Sequence, residues 1–136
     1  MKYDYIVVGA GISGIIAVNI ILEKNYDSKI LWVDKDNFKV GDLSKYMNVP
    51  ANSPIKNLNK FIKELKNIHK DIPIVDTSFE KFDQEKWCNL KYLVRELYNI
   101  TNYLISKPNI DTITGNLIDI LHMENDIKTI ITKKKK

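Results

Sequence analysis

Six residues, Gly9-Ala10-Gly11-Ile12-Ser13-Gly14, constrain this chain more than any others. They stand between two segments of different periodicity. Tyr3 to Val8 (YDYIVV) is β-branched or aromatic apart from Asp4 and predicts a buried strand, near-continuously apolar as parallel strands tend to be. Ile12 to Lys24, with Ile15, Ile16, Val18, Ile20, Ile21 and Leu22 along it, predicts a helix that Asn25-Tyr26-Asp27-Ser28 breaks. Lys29 to Val33 (KILWV) predicts a second strand. Two parallel strands joined by a helix form a right-handed βαβ crossover. In such a turn the first glycine permits the tight exit from the strand. The second, without a Cβ, lets a pyrophosphate come close to the backbone, and the third lets helix and sheet pack closely. The free N–H groups at the helix start, with the positive end of the helix dipole, then face the phosphates.

The second strand runs into Asp34, 25 residues after Gly9, followed by Lys35. A carboxylate at that distance can accept hydrogen bonds from ribose hydroxyls. The expected dinucleotide contacts are therefore Gly9, Ala10, Gly11, Ile12, Ser13, Gly14, Asp34 and Lys35. The plainer alternatives are a glycine turn that binds nothing and an aspartate that merely starts a solvated loop.

Downstream, Asp34 to Asn52 has no clear periodicity, and Gly41, Asn48, Pro50 and Asn52 mark it as loop. Ser53-Pro54 predicts a helix start, serine as N-cap and proline at the first helical position. Ile55, Leu58, Phe61, Ile62, Leu65 and Ile68 then keep the 3.6 period to about His69. After a connector containing Pro73, Asp83 is expected to cap a long helix with Trp87, Leu90, Val94, Leu97, Tyr98 and Leu104 on one stripe, ended by Pro108. Ile110 to Thr114, Leu117 to Leu121 and Ile127 to Thr132 predict three strands, the last two a hairpin turning at Glu124-Asn125-Asp126. The fold class is thus α/β, Rossmann-like, with parallel strands, flanking helices and a C-terminal β-hairpin. One domain covers residues 1–132, and a disordered lysine tail follows at 133–136.

Charge and cysteine content narrow the function classes. The net charge of +4 equals the four lysines Lys133 to Lys136, so the rest of the chain is formally neutral. With one arginine, Arg95, and no basic helix face, a nucleic-acid partner is not expected. No apolar run approaches the ~20 residues of a membrane span. The single cysteine, Cys88, allows no internal disulfide and suits a reducing, cytoplasmic compartment. His69 and His122 lack neighbouring ligands for a metal, and both are expected at the surface. No catalytic set stands out.

The opening KYDYIVVGAGISG resembles that of flavoproteins of the glutathione-reductase-like type, which carry two dinucleotide-binding domains. The resemblance covers about the first quarter of the chain. It implies that the N-terminal βαβ unit takes the ADP half of FAD. The disulfide-reductase branch carries a redox cysteine pair, and this chain has none. The stretch Val40-Gly41-Asp42-Leu43 through Tyr46 to Asn52-Ser53-Pro54 is similar instead to the region of flavin-containing and N-hydroxylating monooxygenases that lies beside the isoalloxazine ring. The matching positions are Gly41, Asn52 and Ser53. Asp42 replaces a second glycine of that pattern, and no tryptophan follows it. An ordinary capped loop is the alternative.

Members of this superfamily also have a later Ala-Thr-Gly-like turn, a Gly-Asp motif for the ribityl chain and a second glycine motif for NAD(P)H, none of which is present here. The resemblance therefore implies the N-terminal, FAD-binding part of an oxidoreductase, apparently truncated or one piece of a split gene and inactive alone. The parent reaction would be NAD(P)H-dependent, with monooxygenation of a small substrate as one outcome. An NAD(P)-binding module and a non-catalytic remnant needing a separate chain to complete the fold are the competing readings.

Overall fold

The computed structural model describes residues 2–69, 77–123 and 126–133. The order of elements is β1 (Tyr5–Val8), α1 (Ile12–Lys24), β2 (Ile30–Asp34), a short 3-10 helix (Gly41–Tyr46), α2 (Ile55–Asn67), α3 (Leu90–Ile105), β3 (Ile110–Met123) and β4 (Asp126–Lys133). The strands lie side by side in the order β1-β2-β3-β4. β1 to β3 are mutually parallel, with Tyr5 opposite Ile30 and Ile30 opposite Ile110. β4 is antiparallel to β3, Gly115 facing Lys133. The fold is thus the expected α/β arrangement, built around a three-stranded parallel sheet.

The parallel register assigns the faces. Val7, Ile30, Trp32 and Ile110 belong to a core that takes in Ile15, Val18 and Leu22 of α1, Ile62 and Leu65 of α2, and Leu93, Leu97, Ile100 and Leu104 of α3. β2 is buried along its whole length, as a strand with a neighbour on each side should be. β1 is not. Tyr5, Ile6 and Val8 are exposed, correcting the expectation of a buried strand. The cause is position: β1 is an edge strand, paired only with β2 among the described residues.

Three further expectations change. The separate strands at Ile110 and Leu117 are one, β3, which passes through Gly115. Its backbone groups change partner there, from β2 up to Thr114 to β4 from Gly115, so no break in hydrogen bonding forces a turn. The expected turn residues Glu124 and Asn125 lie outside the described residues, as do residues 134–136 of the expected lysine tail; Lys133, expected to open that tail, instead closes β4 opposite Gly115. The last long helix starts at Leu90 rather than near Asp83. The preceding residues instead lace to the loop before α2. Ala51 N–H donates to Cys88 O at 2.9 Å, Ile55 to Lys86 O at 2.8 Å and Lys56 to Gln84 O at 3.0 Å, while Leu90 N–H donates to Val49 O at 2.8 Å. Asp83 caps only its own turn, accepting from Glu85 N–H at 3.1 Å. Finally, α2 begins one residue late, with Pro54 as N-cap and no side-chain cap from Ser53.

His69 is buried, not at the surface. Its Nε2 lies 2.5 Å from Asn19 Oδ1, and Asn19 Nδ2 donates to Ile15 O at 2.7 Å, so the end of α2 is tied to the middle of α1. The side chain of His122 lies outside the described residues. A second polar tie joins α2 to α3. Glu96 accepts from Ser78 N–H at 2.7 Å and pairs with Lys66 at 3.0 Å. Burial alone would push the Glu96 carboxyl up, but the Ser78 N–H and the Lys66 ammonium outweigh it and hold the group below the ordinary glutamate value. Among the described residues no helix is long and apolar enough to cross a membrane.

Candidate functional site

The site forms where β1 passes into α1, at the carboxyl ends of the parallel strands, which is where ligands of open α/β sheets bind. Gly9 has φ +99°, a conformation that a residue with a Cβ rarely adopts. Its N–H donates to Val33 O at 2.6 Å, and its carbonyl accepts from Trp32 Nε1 at 2.7 Å. The turn is therefore held from below by β2, through a tryptophan whose role nothing in the sequence pattern announces. Gly14 packs directly on this carbonyl. A Cβ there would stand 2.0 Å from Gly9 O.

Gly11 is the opposite case. It is the N-cap of α1 with φ −76°, and a Cβ added to it would meet nothing within 4 Å. No side chain caps the helix and no acidic residue occupies its first turn. Among the described residues, no acceptor meets the N–H groups of Ile12, Ser13 and Gly14; the first helical bond runs from Ile15 N–H to Gly11 O at 3.0 Å. The corner is open space rimmed by unsatisfied donors at the positive end of a helix. That is what an anionic ligand requires.

Asp34 braces this corner. Its side chain is buried, and three backbone N–H groups converge on the carboxylate: Ala10 on Oδ1 at 3.0 Å, and Asp36 and Phe38 on Oδ2 at 3.0 and 2.8 Å. A carboxylate offers about four lone-pair sites. By that count one acceptor position, on Oδ1, remains. Sequence reasoning anticipated an acid here but not that it holds the turn in place.

The loop after β2 is strained. Asn37, Phe38 and Val40 have φ of 62°, 60° and 62°, and Gly41 follows at 59°. A β-branched valine in this region is unfavourable. It is held by burial of Val40 and of Phe38, whose ring meets Trp32 edge-on at 5.3 Å. The result brings Gly41 against the glycine turn: a Cβ on Gly41 would lie 3.1 Å from Gly11 Cα. Beyond it Ser44 Oγ donates to Gly41 O at 2.8 Å. The Lys45 ammonium, 2.7 Å away, and Lys35 more weakly hold the exposed Asp42 carboxyl below its ordinary value.

The remaining expected contacts are placed less closely. Lys35 is exposed at the end of β2, and Asn52 is exposed on the loop before α2. Among the described residues no hydrogen bond or ion pair ties either side chain to Gly9–Gly14. Cys88 stands alone in the 86–91 segment, and burial pushes its thiol up, away from the reactive thiolate.

Comparison with known proteins bears on both fold and family. No family model matches the chain. The monooxygenase AgnR1 of Paecilomyces divaricatus is 29% identical over 97 residues, an alignment that covers 67% of this chain and 24% of that protein. The structure of the bacillithiol disulfide reductase Bdr (YpdA) from Staphylococcus aureus superposes with a TM-score of 0.62 over 98% of this chain and 35% of the reductase, at 16% identity. The chain therefore has the fold of the matching third of an oxidoreductase and a distant sequence likeness to a monooxygenase. It spans about a quarter of the length of the first protein and about a third of the second.

Proposed function

We propose that this chain binds FAD through the ADP half of the cofactor, as part of an NAD(P)H-dependent oxidoreductase whose reaction is oxygenation of a small substrate. The observation that carries the reading is the open corner at Gly11, where the N–H groups of Ile12, Ser13 and Gly14 have no acceptor on the described chain and Asp34 keeps one lone pair for a ribose. The pyrophosphate would lie on the first turn of α1, against Gly9, Ala10 and Gly11. Gly41 would line the same corner, Lys35 would flank the ribose, and Asn52 would border the ring end. When bound, the flavin supplies the electron-transfer chemistry; these residues only bind and orient it. The likeness to a monooxygenase, together with the lack of a cysteine pair, favours oxygenation over disulfide reduction. The single cysteine suits the cytoplasm.

A dinucleotide crevice in an open α/β sheet forms where the strand order reverses. Here the described parallel strands run one way, β1-β2-β3, and among the described residues the outer edge of β1 has no neighbour. We propose that a separate chain, or further residues of a longer protein, supplies a strand along that edge and with it the second wall of the crevice.

Titration of the purified protein with FAD, ADP and NADH under identical conditions tests the nucleotide reading. The expected result is saturable binding of FAD and ADP and a rise in melting temperature with each. Tighter binding of NADH than of FAD, or binding that Gly11→Val leaves unchanged, would overturn it.

A further inference from the structure

The only described tryptophan with its ring in solvent is Trp87, 59% exposed, and it lines a cavity of about 320 Å³ away from the glycine turn. Tryptophan is enriched among the residues that carry most of the binding energy at recognition surfaces. The cavity lies in the segment 82–92, which is locked to the loop before α2 by the ladder of backbone hydrogen bonds from Lys56 to Leu90, so its walls are preorganised. Phe82 and Tyr92 meet edge to face, with ring centres 4.9 Å apart, and form one wall. Cations crowd these rings. Lys91 lies 5.2 Å from the centre of Tyr92, Arg95 lies 5.9 Å from the same ring, and Lys81 is 5.3 Å from that of Phe82. Lys86 and Lys91 line the cavity itself. Neither has a carboxylate within ion-pair distance among the described residues. Asp83 is the single acid in the lining, and its Oδ1 accepts from Glu85 N–H.

We propose that this groove binds a small planar aromatic anion. The ring lies between Trp87 and Tyr92, and the negative charge is met by the Lys86 and Lys91 ammonium groups. The chemistry of the lining selects for both halves of such a molecule. Aromatic walls favour a flat π-system over a saturated ring. Two ammonium groups at the rim, with no carboxylate partner among the described residues, favour an anion over a neutral compound of the same shape. A cavity of this size lies at the lower end of the range for small-molecule sites. The proposal is independent of the nucleotide site, since it uses none of the residues at the glycine turn.

The test uses ¹⁵N-labelled protein, whose two indole N–H signals come from Trp32, buried and bonded to Gly9 O, and Trp87. Benzoate is expected to shift the Trp87 signal saturably and leave that of Trp32 in place. Benzyl alcohol and cyclohexanecarboxylate, which each lack one half of the recognised chemistry, should bind about fivefold more weakly or worse. The double substitution Lys86→Gln/Lys91→Gln should weaken benzoate by a similar factor. Trp87→Ala should abolish the shifts of the Phe82 and Tyr92 amides, while Trp87→Phe keeps them. Benzyl alcohol binding as well as benzoate would overturn the proposal. So would benzoate shifts confined to the amides of Ile12 to Gly14, or no saturable shift at Trp87.

Discussion

Replacing Asp34 by asparagine preserves the size of the side chain and removes its charge and one of its acceptors. Three backbone N–H groups converge on the native carboxylate, one on Oδ1 and two on Oδ2, at 2.8 to 3.0 Å. An amide has one oxygen. Turned toward Asp36 and Phe38, it presents its NH₂ to the Ala10 N–H, at a nearly fully buried position. Turned the other way it loses two bonds. The cheaper orientation forfeits one charge-assisted hydrogen bond, about 1.5–3 kcal/mol, and reduces two others to neutral strength, about 1 kcal/mol more together. The expected loss is about 3 kcal/mol, a sizeable part of the roughly 5–15 kcal/mol that holds a domain folded. In urea, with a slope of about 1–3 kcal/mol/M, the unfolding midpoint followed by circular dichroism should fall by about 1–3 M, with no nucleotide present. Asp42→Asn, at an exposed carboxylate, is the control and should leave the midpoint in place. A midpoint for Asp34→Asn within about 0.3 M of the parent would refute the idea that this acid clamps the glycine turn.

The other expectations are shorter. Gly14→Ala forces a Cβ to 2.0 Å from Gly9 O and should cost about 3 kcal/mol or more, seen as a large drop in melting temperature, because backbone stands on both sides of the clash. Gly11→Ala meets nothing within 4 Å and should change stability by less than about 1 kcal/mol while weakening FAD; a stability loss equal to that of Gly14→Ala would contradict the open corner. The Glu96 carboxyl has a folded pKa below its unfolded one, so its contribution is present above the unfolded value, about 4.3, and is lost as pH falls through the folded one. Glu96→Gln should therefore be less stable than the parent near neutrality, with the gap closing below about pH 4; a gap that does not vary with pH would show that the ion pair is not its source. Cys88, its thiol pushed up by burial, should react slowly with a thiol-specific disulfide reagent at pH 7 and faster in alkali; rapid labelling at neutral pH would contradict that environment.

What local sequence determines here is the βαβ unit. The succession of an apolar strand, three spaced glycines and an apolar helical stretch leaves few backbone solutions, and β1, α1 and β2 form within a residue or two of where the sequence puts them. The acid at the end of β2 was legible for the same reason: its distance from Gly9 is set by the length of the crossover. What the tertiary structure decided is which backbone groups find which partners far along the chain. The segment at 83–89 has a helical pattern, yet it gives its carbonyls to Ala51, Ile55 and Lys56, and Trp87 is left in solvent. Gly115 reads as a strand end until β4 takes over from β2. His69 reads as a surface residue until Asn19, 50 positions away, meets it in the core. Even β1, apolar enough for the middle of a sheet, lies at an edge, because a strand's burial depends on neighbours that its own residues do not encode. Periodicity is a property of a few consecutive residues, whereas hydrogen-bond partnership across a sheet or between loops is settled only when distant segments compete for the same groups.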